Sequence, residues 1–139
     1  MTFAITSSSD PEEIIPIIRL LRDQMPETLL KKRVENALFN GTAFKLASFN
    51  DKVCACLSYR ITHDVYWGKT LFVDDLVVDP NLRGQEIGTK FLSAIKAEAS
   101  ARSCDHIRLC SGLLRSDAHR FYEANGFLQS SIQFAHPLT

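Results

Sequence analysis

Two adjacent carboxylates interrupt a segment that is otherwise apolar. Asp74 and Asp75 lie between Leu71 and Val78, in a pattern typical of a central strand covered on both faces. Carboxylates in such a strand need a partner for their charge, and they can also accept a proton as general bases. Because adjacent side chains of a regular strand point to opposite faces, only one of the two is expected to reach a given substrate directly. The other, expected to be Asp75, would accept hydrogen bonds from loop backbone.

A glycine-bearing turn follows this strand. It contains Arg83, Gly84, Gln85 and Gly88, and it opens a helix. The first N–H groups of a helix lack partners within it, so such a turn can bind a phosphate or pyrophosphate. The spacing is one residue short of a P-loop, and no G-x-G-x-x-G motif follows a first strand. The turn alone is equally typical of a plain connection between a strand and a helix.

Hydrophobic periodicity and turn residues predict the elements that position these groups. Asp10 or Ser9 is expected to cap the first helix, with Pro11 at its first position. Turn residues are expected to end the second helix at Asn40-Gly41, to form the hairpin turn at 50–52 (Asn50, Asp51 and Lys52) and to stop the last helix at Asn125-Gly126. The predicted order is a strand at 3–6, helices at about 11–21 and 26–40, hairpin strands at 42–49 and 53–61, a strand at 71–78, a helix from the turn to about 102, a strand at 106–110, a helix at 116–122, and a final strand or pair of strands at 127–134. This order predicts a mixed α/β arrangement of helices on a sheet.

Composition limits the class of protein. The chain has 139 residues, of which 45% are hydrophobic, with 16 basic and 16 acidic side chains and a net charge of zero. A single domain over residues 1–139 is expected, and intrinsic disorder is excluded. A dedicated binder of nucleic acid would need a basic surplus. No apolar run is long enough for a membrane span, and the beginning of the chain lacks the pattern of a secretory signal, so a cytoplasmic protein with no membrane partner is expected.

The four cysteines do not match a metal site. Cys54 and Cys56 form a C-x-C pair without a second pair or a histidine cluster at the spacing of a zinc finger. Together with Cys104 and Cys110, they are expected to be buried free thiols. No metal is expected.

Two segments together resemble a known family. Leu76 to Gly88 is similar to the acetyl-CoA-binding motif of the GCN5-related N-acetyltransferase (GNAT) superfamily, although Glu86 stands where that motif usually has its middle glycine. Ala118 to Phe127 resembles the family's second signature, a short helix with a tyrosine that is followed by Gly-Phe. The order of elements is similar over nearly the whole chain. The resemblance implies a mixed, mostly antiparallel central sheet flanked by helices on both faces.

The resemblance also implies site residues. Tyr122 would protonate the departing thiolate, with packing in the core as the alternative role. Similar family members have an acidic base at the place of Asp74, so Asp74 is the first candidate for the base, Asp75 the second and His119 a minor one. The turn would hold the pyrophosphate of acetyl-CoA, and strand residues 76–78 would bind its pantetheine arm and acetyl carbonyl. The implied cofactor-binding residues are Leu76, Val77, Val78, Arg83, Gly84, Gln85, Glu86, Ile87, Gly88 and Thr89.

The implied activity is acetyl transfer from acetyl-CoA to a primary amine of a small-molecule or peptide acceptor. The alternative is a non-catalytic regulatory module that binds acetyl-CoA with the same fold. The first two helices and the loop from His63 to Lys69 would form the walls of the acceptor site, and Arg115 could meet a carboxylate or a phosphate. An aromatic lining could come from Tyr59, His63, Tyr66 and Trp67. A homodimer is expected from the family's tendency alone, and the identity of the amine stays open.

Overall fold

The chain forms two compact units in a computed structural model, which describes residues 2–82 and 86–138. The first unit is residues 1–108 and the second is residues 109–139, so the single domain expected over residues 1–139 stays a prediction. The elements are β1 (Phe3–Ser8), α1 (Pro11–Ile18), α2 (Glu27–Phe39), β2 (Ala43–Phe49), β3 (Lys52–Asp64), β4 (Gly68–Val78), a single 3-10 turn (Pro80–Leu82), α3 (Ile87–Ala101), β5 (His106–Leu109) and α4 (Ser116–Ala124). Among the helices in the described ranges, none has the length and apolar content needed to cross a membrane.

The strands form one sheet in the order β1-β2-β3-β4-β5. The first three pairs are antiparallel. At the start of β5, the Asp105 N–H donates to the Lys69 carbonyl over 2.7 Å, and further along the Arg108 guanidinium lies over the Phe72 ring. Both strands therefore advance in the same direction, and α3 supplies the crossover that a parallel pair needs. The mostly antiparallel sheet that the family resemblance implied is confirmed.

Local signals fix the ends of several elements as predicted. The Asp10 carboxylate caps α1 by accepting the Glu12 N–H over 2.9 Å, with proline at the first helical position. Asn50 and Asp51 have φ of 53° and 66°, the left-handed values that a tight hairpin turn between β2 and β3 requires. Gly41, with φ of 94°, follows the end of α2.

Helices cover both faces of the sheet. Lys45 forms an ion pair of 3.5 Å with Glu98 of α3, and the Arg102 guanidinium lies over the Tyr59 ring, so α3 packs on the face that carries Lys45 and Tyr59. We call this the α3 face and the other the α1–α2 face. The core of the α1–α2 face includes Ile14, Ile17, Ile18, Leu30, Val34, Phe44, Leu46, Cys56 and Val77.

The second unit contains α4 and an irregular segment. The helix ends at Asn125 and Gly126, as predicted, and Gly126 has φ of 91°. The strand predicted at 127–134 is wrong, because residues 127–138 form no strand. A strand needs a paired backbone as well as alternating residue types, and here the alternation does not correspond to burial, since Leu128 and Phe134 are 88% and 91% exposed.

The cysteines differ in burial. Cys54 and Cys56 are buried, as predicted, whereas Cys104 is half-buried and Cys110 is exposed. Cys110 directly follows β5, where an apolar neighbourhood in the sequence does not guarantee a covering layer. The prediction of a buried thiol is therefore wrong for Cys110.

Candidate active site

A β-bulge brings the two carboxylates of β4 to one face. Ser58 of β3 pairs with Asp75, but the next residue, Tyr59, pairs with Val73, so Asp74 is an extra residue in β4. The Asp75 carboxylate accepts the Ser58 hydroxyl over 2.9 Å, and the Asp74 carboxylate accepts from Arg60. Ser58 and Arg60 are two apart on a regular stretch of β3 and share the α1–α2 face. The expectation that Asp74 and Asp75 point to opposite faces is therefore wrong, because the bulge breaks the alternation.

Asp74 is held by a two-pronged ion pair. The Arg60 Nε and Nη2 atoms donate to the two carboxylate oxygens over 2.8 and 2.9 Å. This contact is the main cause that raises the pKa of Arg60. Both side chains are accessible, with exposed fractions of 45% for Arg60 and 29% for Asp74. The carboxylate is thus positioned on one side and open to solvent on another.

Asp75 lies deeper and connects β4 to the first helices. Its carboxylate is 19% exposed and accepts from Arg22, which follows α1, over 2.5 Å, in addition to the Ser58 hydroxyl. Side chains from the turn after α1 and from β3 therefore hold Asp75, in place of the loop backbone that was expected. Burial raises the pKa of the neighbouring Cys56 thiol to about 12, and the negative charge of Asp75 adds to this effect.

The beginning of α3 fits a phosphate-bearing group. Glu86 occupies the N-cap position with φ of 59°, and its own side chain makes no capping hydrogen bond. The N–H of Lys90 bonds to the Glu86 carbonyl, which is the first intrahelical bond. The preceding N–H groups, those of Ile87, Gly88 and Thr89, are the donors that a helix leaves for an anion. Arg83, Gly84 and Gln85, which were predicted to share this role, lie outside the described residues.

The end of β4 fits the predicted role of residues 76–78. Four residues of β5 span only about 13 Å, and β5 begins beside the beginning of β4. β5 therefore pairs with the first part of β4 and leaves the edge of Leu76, Val77 and Val78 unpaired by this strand. Backbone donors on such an edge can bind a carbonyl oxygen or an amide of a ligand.

Tyr122 lies half-buried on α4, within the second unit. Its ring makes edge contacts with Phe121 and Phe127, at centroid distances of 5.3 and 6.0 Å. Burial raises the pKa of Tyr122, while the nearby Arg115 charge acts in the opposite direction. The phenol is therefore protonated at neutral pH and can serve as a proton donor. On the same helix, a ring nitrogen of His119 bonds to the Gly112 carbonyl over 2.7 Å.

The predicted aromatic lining is only partly available. Tyr59 is 3% exposed and lies on the α3 face, away from the carboxylates, because it alternates with Ser58 and Arg60. Tyr66 is exposed and makes an edge contact with Trp67 at 4.9 Å. Trp67 in turn lies beneath the Arg108 guanidinium, also at 4.9 Å. Tyr59 is therefore removed from the acceptor site.

Sequence reasoning missed the polar partners of the two carboxylates. Ser58 and Arg60 lie on the polar parity of β3, and this alternation is a signal that could have placed them beside β4. Arg22 and Arg108 carry no comparable local signal, since their positions depend on the packing of α1 and the pairing of β5.

Comparisons with known proteins agree with this geometry. A family model described as the Acetyltransferase (GNAT) family matches residues 14–127. An aminoalkylphosphonate N-acetyltransferase from Salmonella typhimurium is 32% identical over 107 residues, which cover 74% of this chain and 68% of that protein. An uncharacterized N-acetyltransferase from Bacillus subtilis is 26% identical over 136 residues, or 96% of each chain.

Solved structures share the fold. An aminoglycoside N-acetyltransferase in complex with CoA aligns with a TM-score of 0.84 at 15% identity, over 99% of this chain and 96% of that one. An aminoglycoside acetyltransferase from an uncultured soil metagenomic sample aligns with a TM-score of 0.81 at 19% identity, over 99% and 97%. The family match over most of the chain, on a sheet with this arrangement of helices, leads to one conclusion: the chain belongs to the Acetyltransferase (GNAT) family and is an N-acetyltransferase with acetyl-CoA as its co-substrate.

Proposed function

We propose that the protein transfers the acetyl group of acetyl-CoA to the primary amine of a small-molecule acceptor by direct attack on the thioester. The observation that carries this proposal is the bulge at Asp74, which sets two partly accessible carboxylates on one face of β4, immediately before the strand segment 76–78. A cationic amine is attracted to such a face, and a carboxylate there can take its proton.

Each group has a defined task in this proposal. Asp74 accepts the proton of the ammonium, directly or through water, so that the amine nitrogen can attack the thioester carbonyl carbon. The new C–N bond forms as the C–S bond breaks, and the Tyr122 hydroxyl gives its proton to the departing thiolate. The nitrogen of the new amide gives its second proton to solvent, which also takes the proton from Asp74 and returns one to Tyr122. Asp75 stays ion-paired with Arg22 and contributes negative charge.

Backbone donors complete the arrangement. N–H groups of residues 76–78 stabilise the negative charge that develops on the acetyl oxygen, an effect worth about 3 kcal/mol in comparable sites. The turn of residues 83–89 holds the pyrophosphate. Among these residues, the described beginning of α3 supports the role through its first N–H groups, which the Glu86 side chain does not cap.

The acceptors of related proteins guide the choice of substrates. One relative acts on aminoalkylphosphonates, and structural neighbours act on aminoglycosides. Both are small molecules with primary amines, so both classes belong in a panel with amino acids and simple alkylamines. The cytoplasmic location and the homodimer expected from the sequence stay predictions.

The test is a thiol-release assay over this panel with wild-type protein and Tyr122→Phe. Wild-type protein should release CoA thiol only when an acceptor is present, and the Phe variant should lose about 10²-fold or more in kcat with little change in acetyl-CoA affinity. Tyr59→Phe is the matched control, because it removes a hydroxyl from a tyrosine on the α3 face, away from the carboxylates. Full turnover in Tyr122→Phe would assign Tyr122 to packing, and cofactor binding without any acceptor-dependent release would support the non-catalytic alternative.

A further inference from the structure

Two guanidinium groups flank one aromatic ring beside the candidate base. The central guanidinium carbons of Arg60 and Arg108 lie 5.0 and 5.4 Å from the centre of the Phe72 ring. Arg108 also lies 4.9 Å from the centre of the Trp67 ring. Stacking on aromatic faces holds a guanidinium in one plane while its N–H edge stays available to a ligand. The three strands β3, β4 and β5 thus present two positioned cations on the face that carries Asp74.

These cations keep unused donors. The Nε and Nη2 atoms of Arg60 donate to Asp74, which leaves its Nη1 group available to a ligand. The Arg108 guanidinium makes a single hydrogen bond among the described residues, a long one of 3.3 Å from Nη1 to Asp64. The Thr62 hydroxyl also donates to the same Asp64 oxygen, over 2.8 Å. A planar group with several free N–H donors matches the oxygens of a phosphonate or a carboxylate.

The balance of charge favours a zwitterion over a simple ion. Two arginines face two carboxylates, Asp74 and Asp64, so the cluster has no net charge. A polycation would be repelled by both guanidinium groups, and a plain anion would be repelled by both carboxylates. A molecule with one ammonium and one anionic group can place each charge beside an opposite one.

We propose that Arg60 and Arg108 bind the anionic group of a zwitterionic acceptor while Asp74 receives its amine. This inference rests on the proposed function and names its substrate class, a short amine that carries a phosphonate or a carboxylate. The chain between the two charges must be short, because Arg60 contacts Asp74 directly at 2.8 Å. Binding replaces part of the internal ion pair: the anionic group takes N–H donors of Arg60 and Arg108, and one oxygen of Asp74 becomes free for the amine.

The kinetic test uses acceptors that differ only in the anionic group. These are 2-aminoethylphosphonate, β-alanine and propylamine, assayed with wild-type protein, Arg108→Gln and Arg108→Lys. Arg108→Gln should raise KM about tenfold or more for the zwitterions and leave KM for propylamine unchanged. Arg108→Lys should be intermediate, since it keeps the charge but loses the planar donors. The difference between the phosphonate and the carboxylate identifies the preferred anion.

Arg102→Gln is the matched control. This arginine also stacks on an aromatic ring and pairs with a carboxylate, but it lies on the α3 face. It should leave KM for all three acceptors unchanged. An equal rise of KM for propylamine and the zwitterions in Arg108→Gln, or no rise at all, would overturn the proposal.

A calorimetric titration separates this proposal from the proposed function. 2-Aminoethylphosphonate, titrated without acetyl-CoA so that no transfer occurs, should bind wild-type protein, and Arg108→Gln should weaken this binding about tenfold or more. Absence of 2-aminoethylphosphonate binding together with acetylation of propylamine would overturn the anion site and leave the acetyltransferase function standing. 2-Aminoethylphosphonate binding that needs Arg108, without acetylation of any amine, would support the site and overturn the proposed function.

Discussion

Asp74 is held by a guanidinium and remains open to solvent, whereas Asp75 is enclosed by Arg22 and Ser58. These environments suit different tasks. A carboxylate that exchanges partners with an arriving amine must be accessible, and one that keeps two internal partners stabilises the arrangement instead. At the scale of single residues, the contacts therefore favour Asp74 as the base, as the sequence resemblance implied.

Replacement of Asp74 by asparagine tests this assignment. Asp74→Asn keeps the shape of the side chain and removes its basicity, so kcat/KM should fall about 10²-fold and the acidic limb of its pH profile should disappear. Asp75→Asn is the matched control and should have the smaller effect. Rate measurements from pH 5 to pH 9 provide the check. A lost acidic limb in Asp75→Asn alone would reverse the two roles.

Cys56 should make stability depend on alkaline pH. Its pKa is raised from 9.0 to about 12, so the folded chain holds the thiol proton more tightly than the unfolded chain does. The resulting stabilisation is complete below pH 9 and is lost as the pH rises towards 12. From pH 8 to pH 10 this loss amounts to about 1.4 kcal/mol. Urea unfolding of wild-type protein and Cys56→Ala should therefore show the stability difference between them narrowing by that amount. A constant difference would contradict the raised pKa.

At the scale of elements, the parts of the fold that local chemistry determines could be predicted. The Asp10 cap, the Asn50–Asp51 turn and the stop at Gly41 each depend on a few adjacent residues. The bulge at Asp74 depends on the register between β3 and β4, which no local pattern in β4 reveals. The same limit explains the strand wrongly predicted at 127–134, because alternation does not supply a pairing partner.

The candidate site divides in the same way: residues in recognisable segments could be predicted from the sequence, and contacts between distant strands could not. The carboxylates, the turn and Tyr122 stand in recognisable segments, so the sequence identified them as candidates. Arg60 and Arg108 come together only when β3, β4 and β5 are assembled in register. Contacts between residues far apart in the chain carry no signal in a single sequence.

Glu86 at the beginning of α3 provides a test of this element. Its left-handed backbone, with φ of 59°, costs a residue with a side chain roughly 1 kcal/mol. Glu86→Gly removes this cost but also removes a carboxylate that favours the helix by roughly 0.3–1 kcal/mol, so the stability of the free protein should change little. Acetyl-CoA should bind several-fold more tightly at low salt, because the carboxylate no longer repels the phosphates.

Glu86→Gln separates the two effects. It removes the charge and keeps the backbone cost, so it should bind acetyl-CoA as tightly as Glu86→Gly does but unfold more readily. Calorimetric titrations at low and high salt, with thermal unfolding of both variants, provide the measurements. Weaker binding by both variants would mean that Glu86 contacts the cofactor favourably.

At the scale of the whole molecule, folding and cofactor binding are linked. The chain has no net charge, so backbone donors and local charges must supply the attraction for an anionic co-substrate. A ligand that binds only the folded state stabilises it according to its concentration relative to Kd. Acetyl-CoA at 100 times its Kd should therefore raise the free energy of unfolding by about 2.7 kcal/mol.

Urea unfolding with and without acetyl-CoA checks this expectation. A small acetyl thioester that lacks the phosphates is the control, and at the same concentration it should stabilise the protein far less. Unfolding at several protein concentrations tests the expected homodimer, since a midpoint that rises with concentration indicates association. An unchanged unfolding midpoint with saturating acetyl-CoA would contradict the assigned co-substrate site.

The extra residue in β4 also has an evolutionary consequence. A deletion of the single codon for Asp74 would join Val73 directly to Asp75, restore regular pairing with β3 and leave one carboxylate on the face. The sheet would survive this change, because a regular ladder replaces a bulged one. Under the proposed role of Asp74, one mutational step would turn a catalyst into a fold that can still bind the cofactor, and a duplicated copy of this gene could lose its chemistry without losing its structure.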